Sequence, residues 1–110
     1  MEPHHPPHGA LPPEKVRFLD IHVEPWPDGR RFRVHIETTR FEKSPNLEVI
    51  AENPLGEEVA HVNIIETNVA KLVFTIHIRG PEIKGEYLLK SRLYYPDLEN
   101  VDNHKLTFQI

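Results

Sequence analysis

The chain has 110 residues, no cysteine and a formal net charge of −4, and 38% of its residues are hydrophobic. A chain of this length builds one domain around one core, and the lack of cysteine excludes disulfides, thiol catalysis and thiolate metal sites. The balance of 17 Asp and Glu against 13 Lys and Arg argues against nucleic acid as a partner. No apolar run has the length of a spanning helix, which argues against a membrane as a partner.

Residues 1–14 differ from the rest of the chain because proline and histidine dominate them. Proline removes backbone donors, so we predict a flexible arm here and one β-sandwich domain over residues 15–110. The arm begins without the basic and apolar regions of a secretory signal, which predicts a cytoplasmic protein. His4, His5 and His8 form the densest histidine cluster and are candidate ligands for a transition metal, although a solvated arm without fixed geometry is the favoured interpretation.

Seven segments of the body alternate apolar and polar residues, as half-buried β-strands do. They are residues 16–24, 31–38, 47–52, 58–65, 69–79, 86–95 and 105–110. Adjacent Phe18 and Leu19 predict a bulge in the first segment. The fourth also fits helical spacing and is left open, although its β-branched residues favour a strand. Turn residues separate the segments, and residues 97–103 are interpreted as the link between the last two. Seven strands without helical interludes predict an all-β, antiparallel sandwich.

The sequence Gly85-Glu86-Tyr87-Leu88-Leu89 resembles the start of strand F in immunoglobulin-like and fibronectin type III-like sandwiches. The resemblance implies a seven-stranded immunoglobulin-like sandwich in which the hydroxyl of Tyr87 bonds to the backbone of the preceding corner. It also implies that the third, sixth and seventh strands share a sheet. The chain departs from antibody domains because it has no cysteine pair and its one tryptophan, Trp26, precedes the second strand. The fold hosts many functions, so the resemblance implies no activity.

Four further histidines fall inside predicted strands, namely His22, His35, His61 and His77. His22, His35 and His77 occupy the phase opposite to the apolar residues, together with Asp20, Glu24 and Glu37. Histidines on neighbouring strands can converge into a metal or small-ligand site, and these carboxylates could complete it. The same spacing is also typical of any solvated outer face, so the site stays an alternative and no cofactor is predicted.

Catalysis has little support in the sequence. Serine occurs only at Ser44, which precedes a proline, and at Ser91, in the inward phase of the sixth strand, where a small core residue is expected. Neither has the context of a nucleophile elbow, and the five glycines are scattered in turns rather than gathered in a phosphate-binding loop. We therefore predict a protein that is not an enzyme and has no catalytic residues.

The main functional prediction is a module that binds a protein, either another chain or a second copy of itself. On the sheet of the third, sixth and seventh strands, Ile50, Leu88 and Tyr94 occupy outward phases and are candidates for an apolar interaction patch. Trp26 lies between two prolines in a turn. It is either an exposed binding anchor or a cap that folds over the end of the sandwich.

Overall fold

The structure, a computed structural model, describes residues 9–110. The candidate metal ligands His4, His5 and His8 lie outside the described residues. Seven strands follow a short 3-10 turn at Pro13–Lys15: β1 (Phe18–Pro25), β2 (Arg31–Thr38), β3 (Asn46–Glu52), β4 (Glu58–Ile64), β5 (Lys71–His77), β6 (Glu86–Tyr95) and β7 (Leu98–Gln109). No helix over residues 9–110 is long and apolar enough to cross a membrane.

The strands form two antiparallel sheets. One has three strands in the order β1-β2-β5, and the other has four in the order β4-β3-β6-β7. The predicted seven-stranded, all-β antiparallel sandwich is therefore confirmed, and β3, β6 and β7 share a sheet as expected. The segment for which both strand and helix were considered is a strand, β4. It pairs with β3 and forms one edge of the four-stranded sheet.

The prediction for the first strand is confirmed, and the prediction for the start of the last strand is wrong. The bulge expected at Phe18 and Leu19 is present, because the β1–β2 register shifts between Phe18 and Asp20. The interpretation of residues 97–103 as a link is wrong, since β7 starts at Leu98, directly after a turn at Pro96 and Asp97. Polar residues dominate the start of β7 because this part of the edge strand is largely exposed, so burial does not impose alternation on it.

The core lies between the two sheets and is built from the alternate residues of each strand. Phe32, Val34 and Ile36 of β2 are buried together, and the Phe32 ring packs 4.7 Å from the Phe108 ring of the opposite sheet, centroid to centroid. Each such side chain contributes about 1.5–3 kcal/mol when it is fully buried. Contact between the two inner faces therefore holds the sandwich together. The residues that alternate with these core residues along each strand point outward.

The corner before β6 has the arrangement that the sequence predicts. The Tyr87 side chain is buried, and its hydroxyl donates to the carbonyl oxygen of Ile83 over 2.5 Å. Gly85 has a φ of +138°, and a Cβ there would lie 2.9 Å from Cγ of Pro54. Glycine is therefore required on both conformational and steric grounds. Burial raises the pKa of the Tyr87 hydroxyl above its ordinary value, and the charge of Glu82 acts in the same direction.

Residues 9–15 run along the body of the sandwich. Leu11 forms a parallel bridge with Phe41, in which the Leu11 amide donates to the Arg40 carbonyl and the Glu42 amide to the Leu11 carbonyl. The Leu11 side chain packs against the core while remaining partly exposed. The division of the chain at residue 14 stays a prediction, but these contacts show that chain as early as Leu11 is held by the body.

Candidate functional site

The outer face of the four-stranded sheet carries the three predicted interaction residues on β3 and β6. Ile50 pairs in register with Lys90, and Glu52 pairs with Leu88, so Ile50 and Leu88 are diagonal neighbours. Both side chains are half-buried. The structure therefore brings these two apolar residues together near the centre of the face.

Tyr94 lies apart from them on the same face. The Glu48–Arg92 pair separates Tyr94 from Ile50 and Leu88, with Arg92 Nε 3.1 Å from Glu48 Oε1. The Arg92 guanidinium lies 4.2 Å from the centroid of the Tyr94 ring. The apolar residues of this face are thus interleaved with charge instead of forming one continuous patch. Whether these residues bind a partner stays a prediction.

The charges of this face alternate in sign and are paired across strands. Lys90 Nζ lies 2.5 Å from Glu52 Oε2, and His61 Nε2 of β4 lies 2.8 Å from Glu48 Oε2. Partial burial raises the pKa of the Glu48 carboxyl, but the hydrogen bonds and charges of His61 and Arg92 outweigh it and hold that pKa below its usual value. Glu48 therefore stays ionised at neutral pH and bonds to both His61 and Arg92.

Trp26 lies beside the outer face of the three-stranded sheet. Its ring is half-buried, with the Arg31 guanidinium 4.0 Å and the Arg33 guanidinium 5.9 Å from its centroid. The Trp26 amide donates to the Arg31 carbonyl over 2.9 Å, which holds the turn against β2. Stacked cations of this kind stabilise by about 0.5–1 kcal/mol at exposed sites. Two arginines thus lie near the Trp26 ring, and the role of Trp26 as a binding anchor stays a prediction.

Two of the strand histidines meet on this same outer face. His22 of β1 and His35 of β2 are directly opposite in register, and their rings stack 4.2 Å apart with an interplanar angle of 11°. Glu24 Oε1 is hydrogen-bonded to His35 Nε2, and Asp20 Oδ2 lies 2.7 Å from His22 Nδ1. One potential ligand atom each from His22, Glu24 and His35 lie within 4.8 Å of one another. Of the three carboxylates predicted to lie beside these histidines, Asp20 and Glu24 are therefore in contact with them.

The remaining strand histidines do not join this cluster. His77 of β5 pairs with Arg31, two positions along the outer face from the His35–Val73 pair. His61 lies on the other sheet, bonded to Glu48. Sequence phase identified the outward side of each strand, but only the register of β1 against β2 shows which histidines are neighbours.

The sequence matches no family model and no curated protein sequence. The fold is similar to part of a β-glucuronidase from Bifidobacterium dentium solved with coumarin-3-O-glucuronide, at 16% identity and a TM-score of 0.66. It is also similar to part of a glycosyl hydrolase family 2 member from Bacteroides cellulosilyticus, at 15% identity and a TM-score of 0.58. Each match covers 86% of this chain but only 18% and 14%, respectively, of those longer chains. At this identity the likeness shows the fold, a two-sheet β-sandwich.

Proposed function

We propose that this chain is a non-enzymatic, immunoglobulin-like sandwich module that acts by binding protein, with a second copy of itself as the partner. The fold supports an accessory role because the similar structures contain it as a minor part of much longer chains. The Tyr87–Ile83 corner and the pairing of β4 with β3 beside β6 and β7 support the immunoglobulin-like or fibronectin type III-like relationship.

The observation that carries the self-association proposal is the charge pattern on the outer face of the four-stranded sheet. Glu48 and Glu52 of β3 alternate with Arg92 and Lys90 of β6 around the Ile50–Leu88 pair. A two-fold contact places one patch against the same patch, so the patch must complement itself. A face with both signs interspersed around a small apolar centre meets that requirement, since rotation can bring carboxylates of one copy to cations of the other.

Sedimentation velocity over a concentration series tests this proposal. We expect the wild-type chain to form dimers, and the double substitution of Ile50→Lys and Leu88→Lys to leave monomers while far-ultraviolet circular dichroism stays native. Val73→Lys is the matched control, because Val73 is an exposed apolar residue on the outer face of the other sheet. A wild-type monomer at millimolar concentration would overturn the self-association, as would a dimer that persists in the double variant.

A further inference from the structure

We propose that the outer face of the three-stranded sheet binds a zinc-class divalent transition-metal ion through His22, Glu24 and His35. This site is separate from the face proposed for self-association, and it does not depend on that function. The ion would join the edge strand β1 to its neighbour β2.

The positions of the ligands follow from the pairing of the two strands. His22 and His35 are opposite each other, and Glu24 follows His22 by two residues, so all three side chains leave the same face. Their donor atoms lie within 4.8 Å of one another. Zinc bonds of about 2.0–2.1 Å in a tetrahedral arrangement require ligand atoms about 3.3 Å apart. Since His22 and Glu24 are exposed, small side-chain rotations can close that gap.

Asp20 supplies the outer support that metal-binding imidazoles usually have. Its carboxylate accepts a hydrogen bond from Nδ1 of His22 over 2.7 Å, which places the proton of the neutral ring on Nδ1. The Nε2 lone pair of His22 is then left for a metal ion, as in carboxylate–histidine–metal triads. Asp20 is therefore a positioning residue, and His22 is the ligand.

The contact between His35 and Glu24 already brings two ligand atoms together. Nε2 of His35 and Oε1 of Glu24 are hydrogen-bonded to each other. A metal ion placed between them would keep both atoms as ligands, with the neutral His35 ring carrying its proton on Nδ1 instead of Nε2.

The surrounding charges favour a cation. Asp20 and Glu37 form a cross-strand pair of like charges next to the histidines, with Lys71 opposite Glu37. Like charges directly opposite each other destabilise a sheet, so a bound cation would relieve this pair. On the other side, Arg33 is opposite Glu24 and is directed towards Trp26. Two imidazoles and one carboxylate suit zinc, copper or nickel, whereas calcium and magnesium require oxygen ligands.

The simpler interpretation is that these residues form two histidine–carboxylate pairs at the surface that contribute little to stability. The two interpretations differ in what zinc does to the protein. In the absence of a site, removal of a single histidine from the cluster would leave zinc binding unchanged. With a site, His22 and His35 act as a unit, and the loss of either weakens the binding of the whole.

Isothermal titration with zinc chloride tests the proposal on the full chain with His4, His5 and His8 changed to Asn, which removes the arm as a competing binder. We expect one equivalent to bind and the thermal midpoint to rise with zinc, as for any ligand specific to the folded state. His22→Asn and His35→Asn should each abolish this saturable binding, and Asp20→Asn should weaken it by about tenfold. His77→Asn and His61→Asn are matched controls that should leave it unchanged.

Zinc that fails to bind, or that binds equally well without His22 and His35, would overturn the proposal. If the His22 or His35 variant does not fold, the test uses the protein in which both histidines are intact, and the imidazole resonances are followed by NMR during the zinc titration. Zinc should then shift the signals of His22 and His35 together and leave those of His61 and His77 in position. Equal shifts of all five remaining histidines, His104 included, would show unspecific binding and would also overturn the site.

Discussion

The hydroxyl of Tyr87 donates to the carbonyl oxygen of Ile83, four residues earlier, and this bond closes the corner that leads into β6. The ring itself lies in the core beside Phe108, with 5.7 Å between the ring centroids. One side chain therefore connects a surface corner to the interior. The tyrosine lies two residues after Gly85, whose conformation makes the corner possible.

Tyr87→Phe is expected to lower the free energy of unfolding by about 1–3 kcal/mol, because the change keeps the ring but leaves the partly buried Ile83 carbonyl without its donor. Denaturant unfolding measures the change. Tyr94→Phe is the matched control, since that ring lies half-buried on the outer face, and it should change the stability by much less. Equal stabilities of the Tyr87→Phe variant and the wild type would remove the corner bond as a stabilising element.

Asn53→Ala is expected to destabilise the β3–β4 hairpin and to lower the free energy of unfolding by about 1–2 kcal/mol. The buried Asn53 side chain accepts hydrogen bonds from the Leu55 and Glu57 amides over 2.9 Å and 3.0 Å and thus replaces backbone partners within the turn. Leu55→Ala at the exposed tip of the same turn is the control and should be close to neutral. Similar losses from both changes would contradict this account of the turn.

Stability should fall at alkaline pH because of Tyr95. Burial raises the pKa of its hydroxyl from 10.0 to about 12 in the folded protein. The contribution of Tyr95 to the free energy of unfolding is fully present below pH 10. It is lost as the pH rises towards 12, because the tyrosine hydroxyl ionises at a lower pH in the unfolded chain than in the folded protein. Denaturant unfolding between pH 9 and pH 12 should show a decline that is smaller in the Tyr95→Phe variant. An identical decline in that variant would assign the loss to other groups.

The strands that the sequence predicted best are those with one side fully buried. β2 and β6 have the predicted bounds because each has an unbroken buried phase: Phe32, Val34 and Ile36 in β2, and Tyr87, Leu89 and Leu93 in β6. β7 was predicted too short because its first half lies largely exposed at a sheet edge, where no core selects apolar residues. The alternation of apolar and polar residues indicates which strands have a buried side. It does not reveal a strand that is held mainly by backbone hydrogen bonds.

The candidate sites depend on register, which the sequence does not contain. Outward phases correctly named His22 and His35, but their contact requires that Phe18 and Asp20 flank a bulge in β1. The same holds for Tyr94, whose distance from Ile50 depends on the pairing of Glu48 with Arg92. A shift of one residue in either pair would turn the side chains to the other face of the sheet.

The bridge between Leu11 and Phe41 has a mechanical consequence. It lies at the end of the sandwich where β1 begins, whereas Ile110 exchanges two backbone hydrogen bonds with Gly85 at the end where β6 begins. A force that pulls Leu11 and Ile110 apart therefore acts along the strands. It loads the rungs between β1 and β2, and those between β6 and β7, simultaneously in shear instead of opening them one by one.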